Sequence, residues 1–176
     1  QFNSACQNGF VPDGFICENT LLLQMLQAFA EEQDIEALFL FLDMEKAFDR
    51  CSWEFLVQSL RALGFPDKNT APQPNGPTPP PPPQLHAFIQ YILLAYSHEH
   101  LPTRQTYVNG FLSRLFKINS GVAQGCPISP LLFLCFTEAL SRLIEENDNI
   151  TGIVVDGVAH KISQYADDGT LILIPP

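Results

Sequence analysis

Apolar side chains recur at helical spacing between residues 15 and 33, at Leu22, Leu23, Leu26, Phe29 and Ala30, and predict an amphipathic helix. Residues 37–42 change the pattern to an unbroken apolar run that ends at Asp43. The run is short and follows a polar break, so it predicts a buried strand. Ser52 stands where an N-cap belongs. Phe55, Leu56, Ser59, Leu60 and Leu63 then mark one face of a second helix, which Gly64 and Pro66 stop. Helical spacing resumes over 84–98, at Leu85, Phe88, Ile89, Ile92, Leu93 and Tyr96. Asn109-Gly110 turns the chain between two strand-like runs, 105–108 and 112–118. A long amphipathic helix opened by Pro130 spans 129–145. Two β runs, 153–155 and 158–164, join through Asp156-Gly157. A last run, 170–174, completes a hairpin tipped by Tyr165-Ala166-Asp167-Asp168-Gly169.

One stretch breaks every period. Residues 71–83 hold eight prolines, five of them consecutive from Pro79 to Pro83. Such a run adopts extended polyproline II and enters neither helix nor central strand. It reads as an exposed insertion within one domain, a tolerated surface loop in preference to a proline-rich ligand for a partner domain.

Composition fits a globular chain: of 176 residues, 46% are hydrophobic and 16% charged, enough for one domain with a core. The 14 Phe imply a substantial core or a surface that expects a partner. A net charge of -10 argues against nucleic-acid binding, which leaves a basic footprint. The charge is uneven, however. Residues 1–67 contain eleven acids and three bases (Lys46, Arg50, Arg61), whereas no acid stands between Glu99 and Glu138. That stretch holds His100, Arg104, Arg114 and Lys117 and is the natural place for a polyanion, although on charge alone a local fluctuation is the simpler reading. Five cysteines without a Cys-x-x-Cys pair suit reduced thiols in an intracellular protein. No run reaches the ~20 apolar residues of a membrane helix. The first residues lack a signal-peptide pattern and an initiator Met, as an excerpt would.

Two acidic positions suggest chemistry. Asp43 ends an apolar strand, and Asp167-Asp168 tip a hairpin. Strand ends and tight hairpins hold carboxylates in fixed places, and three brought together repel unless cations lie between them. All-oxygen donors suit Mg²⁺, and a pair of such ions ~3.5–4 Å apart serves in-line phosphoryl transfer. Either site alone is weak, because Asp is common at turns. The segment Gly121-Val122-Ala123-Gln124-Gly125-Cys126-Pro127-Ile128-Ser129-Pro130 is a glycine- and proline-punctuated turn into a helix, a place where backbone approaches a ligand closely.

In order, Phe41-Leu42-Asp43-Met44-Glu45-Lys46-Ala47-Phe48-Asp49, the Gly121 segment through Phe133, and Tyr165-Ala166-Asp167-Asp168 resemble the successive polymerase motifs of reverse transcriptases. The wording is nearest to non-LTR (LINE-type) retrotransposons. Gln7-Asn8-Gly9-Phe10-Val11-Pro12 and Asn19 resemble the fingers segment upstream of those motifs. The resemblance covers nearly the whole chain outside the proline insertion. It implies an α+β fold, a right-hand polymerase palm with an antiparallel sheet backed by helices and with partial fingers. It implies RNA-directed DNA polymerase activity with two Mg²⁺ ions, Mn²⁺ as a substitute, an RNA template, a DNA primer and deoxynucleoside triphosphates. By position, Asp43, Asp167 and Asp168 match the metal-binding, catalytic acids. Phe48 matches the aromatic gate against a 2′-hydroxyl, Gln124 and Gly125 match the nucleotide pocket, and Lys46 lies near the phosphates or is a solvated lysine. Two positions depart: Asp13-Gly14 where an arginine is usual after the proline, and Ala123 where a basic residue commonly precedes Gln-Gly. Both remove positive charge. The family's thumb has no counterpart before Pro176, so the chain is expected to be a partial domain that polymerises poorly on its own. A catalytically inactive retrotransposon remnant, and a metal-independent RNA-binding module using 100–137, are the alternatives.

Overall fold

The computed structural model describes residues 6–12, 14–65, 88–100 and 102–175. Asp13, the proline-rich stretch and residues 84–87 of the third helical pattern lie outside the described residues. In chain order the first elements are α1 (Ile16–Glu32), β1 (Leu38–Leu42), α2 (Ala47–Arg50), α3 (Trp53–Ala62) and α4 (Phe88–Ala95). Four two-residue strands follow: β2 (Thr103–Arg104), β3 (Tyr107–Val108), β4 (Phe111–Leu112) and β5 (Phe116–Lys117). The last are α5 (Ser129–Glu145), β6 (Ile153–Val155), β7 (Val158–His160), β8 (Ile162–Tyr165) and β9 (Asp168–Leu173). Every pairing of named strands is antiparallel, and helices alternate with small sheets in an α+β arrangement. The chain falls into two compact units, Gln1–Ala47 with Pro130–Pro176, and Phe48–Ser129. No helix among the described residues is long and apolar enough to cross a membrane.

In the first unit β9 is the central strand of a three-stranded sheet, ordered β1-β9-β8. Its Ile172 meets Ile153 of β6 and Leu26 and Ala30 of α1 in one buried cluster, with Leu22, Leu23, Phe29 and Phe39 packed around it. The helical period of α1 is therefore a core period. β1 departs from expectation. Its apolar run suggested burial, yet Leu38, Leu40 and Phe41 are exposed. Among the described residues β1 is an edge strand with one hydrogen-bonded neighbour, and only its Phe39 joins the cluster, so the run covers a face that nothing described in this unit closes. The run predicted over 158–164 also breaks in two. Lys161 leaves the ladder between β7 and β8, and its ammonium donates to the carbonyls of Glu145 (2.9 Å) and Asn147 (2.8 Å), capping the end of α5.

The second unit confirms Ser52 as the N-cap of α3, its hydroxyl accepting from Phe55 N–H. The helix ends in a paired motif: Phe65 N–H donates to Leu60 C=O and Gly64 N–H to Arg61 C=O, with Gly64 at φ +83°. Leu56, Leu60 and Val57 are buried, as is Trp53, whereas Phe55 is exposed. The predicted hairpin forms with a flaw in its ladder. Asn109 and Gly110 both take positive φ between β3 and β4, as a two-residue turn requires. The rungs Thr103↔Lys117 and Tyr107↔Leu112 are out of step by one residue, so the returning strand carries one extra residue, a bulge. Ser113 fills it, accepting from Thr106 N–H through its hydroxyl and donating its own N–H to Thr106 C=O.

A strap ties residues 120–123 to the start of this unit. Gly121 N–H donates to Cys51 C=O and Val122 N–H to Phe48 C=O, both at 2.8 Å. The Ser120 hydroxyl donates to Asp49 C=O, and the Trp53 indole donates to Gly121 C=O at 2.7 Å. Gly121 has φ +87°, and a Cβ there would lie 2.6 Å from the Asp49 carbonyl oxygen. Gly110 has a similar φ of +88° and open space around it. Gly110→Ala should therefore lose only the backbone preference, ~1–2 kcal/mol. Gly121→Ala should lose about 1–3 kcal/mol more, because the strap must move. Urea unfolding of the two variants tests this; equal losses would show that the strap tolerates a methyl group.

None of the five cysteines forms a disulfide among the described residues. Burial pushes the Cys51 thiol up to about 12, and burial with the neighbouring Glu138 charge pushes Cys135 up to about 11. At pH 8 a disulfide reagent should titrate exposed Cys17 rapidly and leave Cys51 and Cys135 unreacted until denaturant is added. Stability from these thiols is complete below the unfolded value of 9.0 and is lost as pH rises through about 11 and 12, so alkaline unfolding should begin above pH 9. Rapid labelling of Cys51 in the folded chain would contradict both statements.

Candidate active site

In the first unit the acidic positions sit where two ladders end. β1 and β9 pair in the register Leu42↔Gly169, and the next residues along the two strands are Asp43 and Asp168. On the other side β8 and β9 pair to Tyr165↔Asp168, and the chain reverses through Ala166-Asp167. Ala166 takes φ +57°, a left-handed conformation that disfavours a Cβ by ~1–2 kcal/mol. Asp43 and Asp168 are exposed and Asp167 is half-buried. Among the described residues no hydrogen bond or ion pair engages any of the three carboxylates. Nor are three His, Cys, Asp or Glu side chains grouped as a metal cage among those residues. The register thus brings Asp43 and Asp168 to facing positions beside the turn that holds Asp167, with no preformed three-ligand cage. Unpaired, all-oxygen donors suit Mg²⁺, which takes one or two protein carboxylates and completes its shell with water and phosphate oxygens. Lys46, in the turn after β1, is exposed and also takes positive φ, at +54°.

The tip is held from behind by a buried polar network. Gln7 Oε1 accepts from Ala166 N–H at 2.9 Å and from Gly9 N–H at 2.8 Å, while Gln7 Nε2 donates to Ala166 C=O at 3.2 Å. Asn8 N–H donates to Gln164 C=O, and Gln164 N–H donates to Cys6 C=O. From α1, Asn19 Nδ2 donates to the Ser163 hydroxyl (2.8 Å) and to Gln164 C=O (2.9 Å). Its Oδ1 accepts from Asn8 Nδ2 at 3.0 Å. From α5, the Ser141 hydroxyl donates to Gln164 Oε1. The sequence marked Gln7, Asn8 and Asn19 only as part of a resemblance. Their shared signal is that Asn19 is the polar residue on the buried side of an otherwise apolar helical face.

The second unit places the remaining positions on and around the strap. Phe48 is half-buried, and its carbonyl is a strap acceptor. Gln124 is exposed, its carboxamide donating to the Asp49 carboxylate at 3.3 Å. Gly125, at φ +82°, has open space around it. Ala123 N–H donates to the Tyr96 hydroxyl at 3.1 Å, so this backbone is held independently of the side chain that the motif lacks. Arg104, Arg114 and Lys117 are exposed on the bulged hairpin, and Arg104 and Lys117 line an open cleft of about 300 Å³ with Asp49, Phe116 and Gly121. The sequence suggests no site role of their own for Trp53, Asp49 and Tyr96. Trp53 had one available signal, being the chain's single tryptophan.

The chain is similar to known proteins. The family model for reverse transcriptase (RNA-dependent DNA polymerase) matches residues 1–174. The transposon TX1 uncharacterized 149 kDa protein of Xenopus laevis is 29% identical over 168 residues, covering 94% of this chain and 11% of that protein. The Pol polyprotein from the type-1 retrotransposable element R2 of Nasonia vitripennis is 27% identical over 167 residues, covering 94% of this chain and 14% of that protein. The chain thus spans a small part of the length of these relatives. Among solved structures, telomerase from Candida albicans, in complex with a fragment of telomeric RNA, superposes with a TM-score of 0.56 at 14% identity, covering 96% of this chain and 27% of that one. The likeness in fold is to a polymerase, and the relatives in sequence are retrotransposon proteins. The chain belongs to the reverse transcriptase (RNA-dependent DNA polymerase) family.

Proposed function

We propose that this chain carries the nucleotidyl-transfer site of a non-LTR retrotransposon reverse transcriptase, in a fingers and palm segment with an insertion at 71–83. Asp43, Asp167 and Asp168 are its metal-binding carboxylates. The observation that supports the reading most is the β1–β9 register, which ends at Leu42↔Gly169, one residue short of Asp43 on one strand and of Asp168 on the other, while the β8–β9 turn holds Asp167. Carboxylates with no protein cation against them among the described residues can take Mg²⁺ or Mn²⁺. When bound, a metal pair supplies a lowered pKa at a primer 3′-hydroxyl and charge neutralisation at the departing pyrophosphate. The chain's own residues hold and select. Phe48 excludes a 2′-hydroxyl, Gln124 and Gly125 shape the nucleotide pocket, and Lys46 faces the triphosphate.

An RNA template and DNA primer are the polyanionic partners in this reading. Exposed Arg104, Arg114 and Lys117, interleaved with exposed Tyr107 and Phe111, give one hairpin both charge and stacking surface. The same observation favours a second reading, an RNA-binding module without chemistry. Metal dependence separates the two.

Manganese titration followed by electron paramagnetic resonance should show a site in the chain that weakens tenfold or more in Asp43→Asn and in Asp167→Asn, with RNA binding unchanged. Manganese affinity indifferent to both substitutions would end the catalytic reading. Primer extension on an RNA template by the 176-residue chain should be slow and steeply salt-sensitive, because a net charge of -10 opposes a duplex. Whatever extension occurs should vanish in Asp167→Asn. In an active form, Phe48→Val should raise ribonucleotide incorporation relative to deoxynucleotide by removing the excluded volume. Unchanged sugar selectivity in that variant would remove Phe48 from the pocket.

A further inference from the structure

Gln7 lies 159 residues from Ala166 in sequence, and its side chain takes up both backbone polar groups of that residue. Gln7 is 4% exposed and Ala166 7%. One carboxamide spanning the N–H and the C=O of a single residue fixes the rotation between them. Ala166 is the non-glycine residue at positive φ in the turn, and Asp167 is the next residue in the chain. The Gln7 oxygen also accepts from Gly9 N–H, so the carboxamide plane is itself fixed by local backbone. Gly9 completes the contact, since a Cβ there would lie 2.1 Å from Ala166 N. The Gln7–Gly9 backbone therefore lies directly against the turn.

We infer that Gln7 is a positioning residue: its carboxamide holds the Ala166 peptide groups and thereby sets the direction in which Asp167 leaves the turn. An ordinary buried glutamine that only completes a core would be satisfied by sheet or helix backbone. This one is bonded to the residue beside the acid and to Gly9 of its own segment. The arrangement makes the segment 7–9, from one end of the chain, part of the machinery that aims a carboxylate near the other end. The consequence for metal binding rests on the function proposed above; the clamp on Ala166 does not.

The test uses the full chain labelled with nitrogen-15, with two readouts: hydrogen exchange of the Ala166 amide and manganese affinity by paramagnetic resonance. Gln7→Met keeps the volume and removes both hydrogen-bonding groups. It should speed Ala166 exchange tenfold or more relative to the Ile172 amide and weaken manganese binding about 10–100-fold, as loss of outer-sphere support does. Leu26→Ala, in the core of the same unit, should lower the melting temperature and leave both readouts in place. If Gln7→Met fails to fold, Gln7→Asn serves in its place, because it retains a carboxamide one methylene too short to reach both groups. Unchanged Ala166 exchange in the folded variant overturns the clamp. Faster exchange with unchanged manganese affinity overturns the positioning role. A wild-type chain whose manganese binding ignores Asp167→Asn overturns the proposed metal site instead, and Ala166 exchange then still decides the clamp.

Discussion

Slide β1 by one residue along β9 and the first unit loses both its core and its acidic rung. Phe39 now stands opposite Ile172, inside the cluster with Leu26, Ala30 and Ile153, and the ladder ends at Leu42↔Gly169, one residue before Asp43 and Asp168. A one-residue slip would turn Leu38 and Leu40 toward the core and carry Asp43 to the other face. The side chains of β1 cannot specify this register by themselves, since all five are apolar. The specification comes from β9 and β8. Gly169 sits opposite Leu42, buried Thr170 and Ile172 face inward, and β8 is anchored through Ser163 and Gln164 to α1 and to residues 6–8. The polar strand therefore fixes where the apolar one lies.

The second unit solves a comparable problem with backbone. Four hydrogen bonds hold residues 120–122 against 48–53, and three of the four are made by backbone groups at both ends or by a hydroxyl to a backbone carbonyl. Such contacts depend little on side-chain identity. The exception is Trp53, whose indole donates to Gly121 C=O while its ring packs 6.3 Å from Tyr96 and 5.1 Å from His98. Tyr96 in turn accepts from Ala123 N–H, so two neighbouring aromatics hold the strap at Gly121 and Ala123. A glycine at Gly121 is required by the approach of Asp49 backbone, not by the turn alone.

The helices were legible because periodicity reports burial. The pattern over 15–33 became α1 almost residue for residue, and Ser52, Gly64 and the Asn109-Gly110 turn did what their local chemistry dictates. β1 was misread as buried because an apolar run records what a strand avoids, water on either face, and says nothing about how many neighbours it has. The break at Lys161 was hidden for another reason. A lysine within a β run looks like an exposed strand residue, and its role as a cap on α5 depends on contacts 14 and 16 residues away. Of the site, Asp43, Asp167 and Asp168 stood out because strand ends and hairpin tips are local features. Gln7, Asn19 and Trp53 act through long-range hydrogen bonds, and the local signals at Asn19 and Trp53, a polar residue on an apolar helical face and a single tryptophan, do not reveal those partners.

The polar burial in the first unit follows from that long-range support. Ser163, Gln164 and Thr170 occupy buried positions on β8 and β9 where Val or Ile would add apolar area. Each buried polar group left unmatched would cost about 1–3 kcal/mol. Here Ser163 and Gln164 are matched, by Asn19, Ser141, Asn8 and Cys6, drawn from α1, α5 and the segment before α1. An apolar strand would be stabilised by packing from any direction, and such packing tolerates rotation and slip. A hydrogen-bonded strand has one arrangement in which all partners are met. The two faces of the hairpin tip differ accordingly: its buried side is saturated with directional contacts, and its acidic side has none among the described residues. Rigidity behind and vacancy of partners in front is what a pair of facing carboxylates needs if their repulsion is to be relieved by a cation from solution and not by rearrangement of the chain.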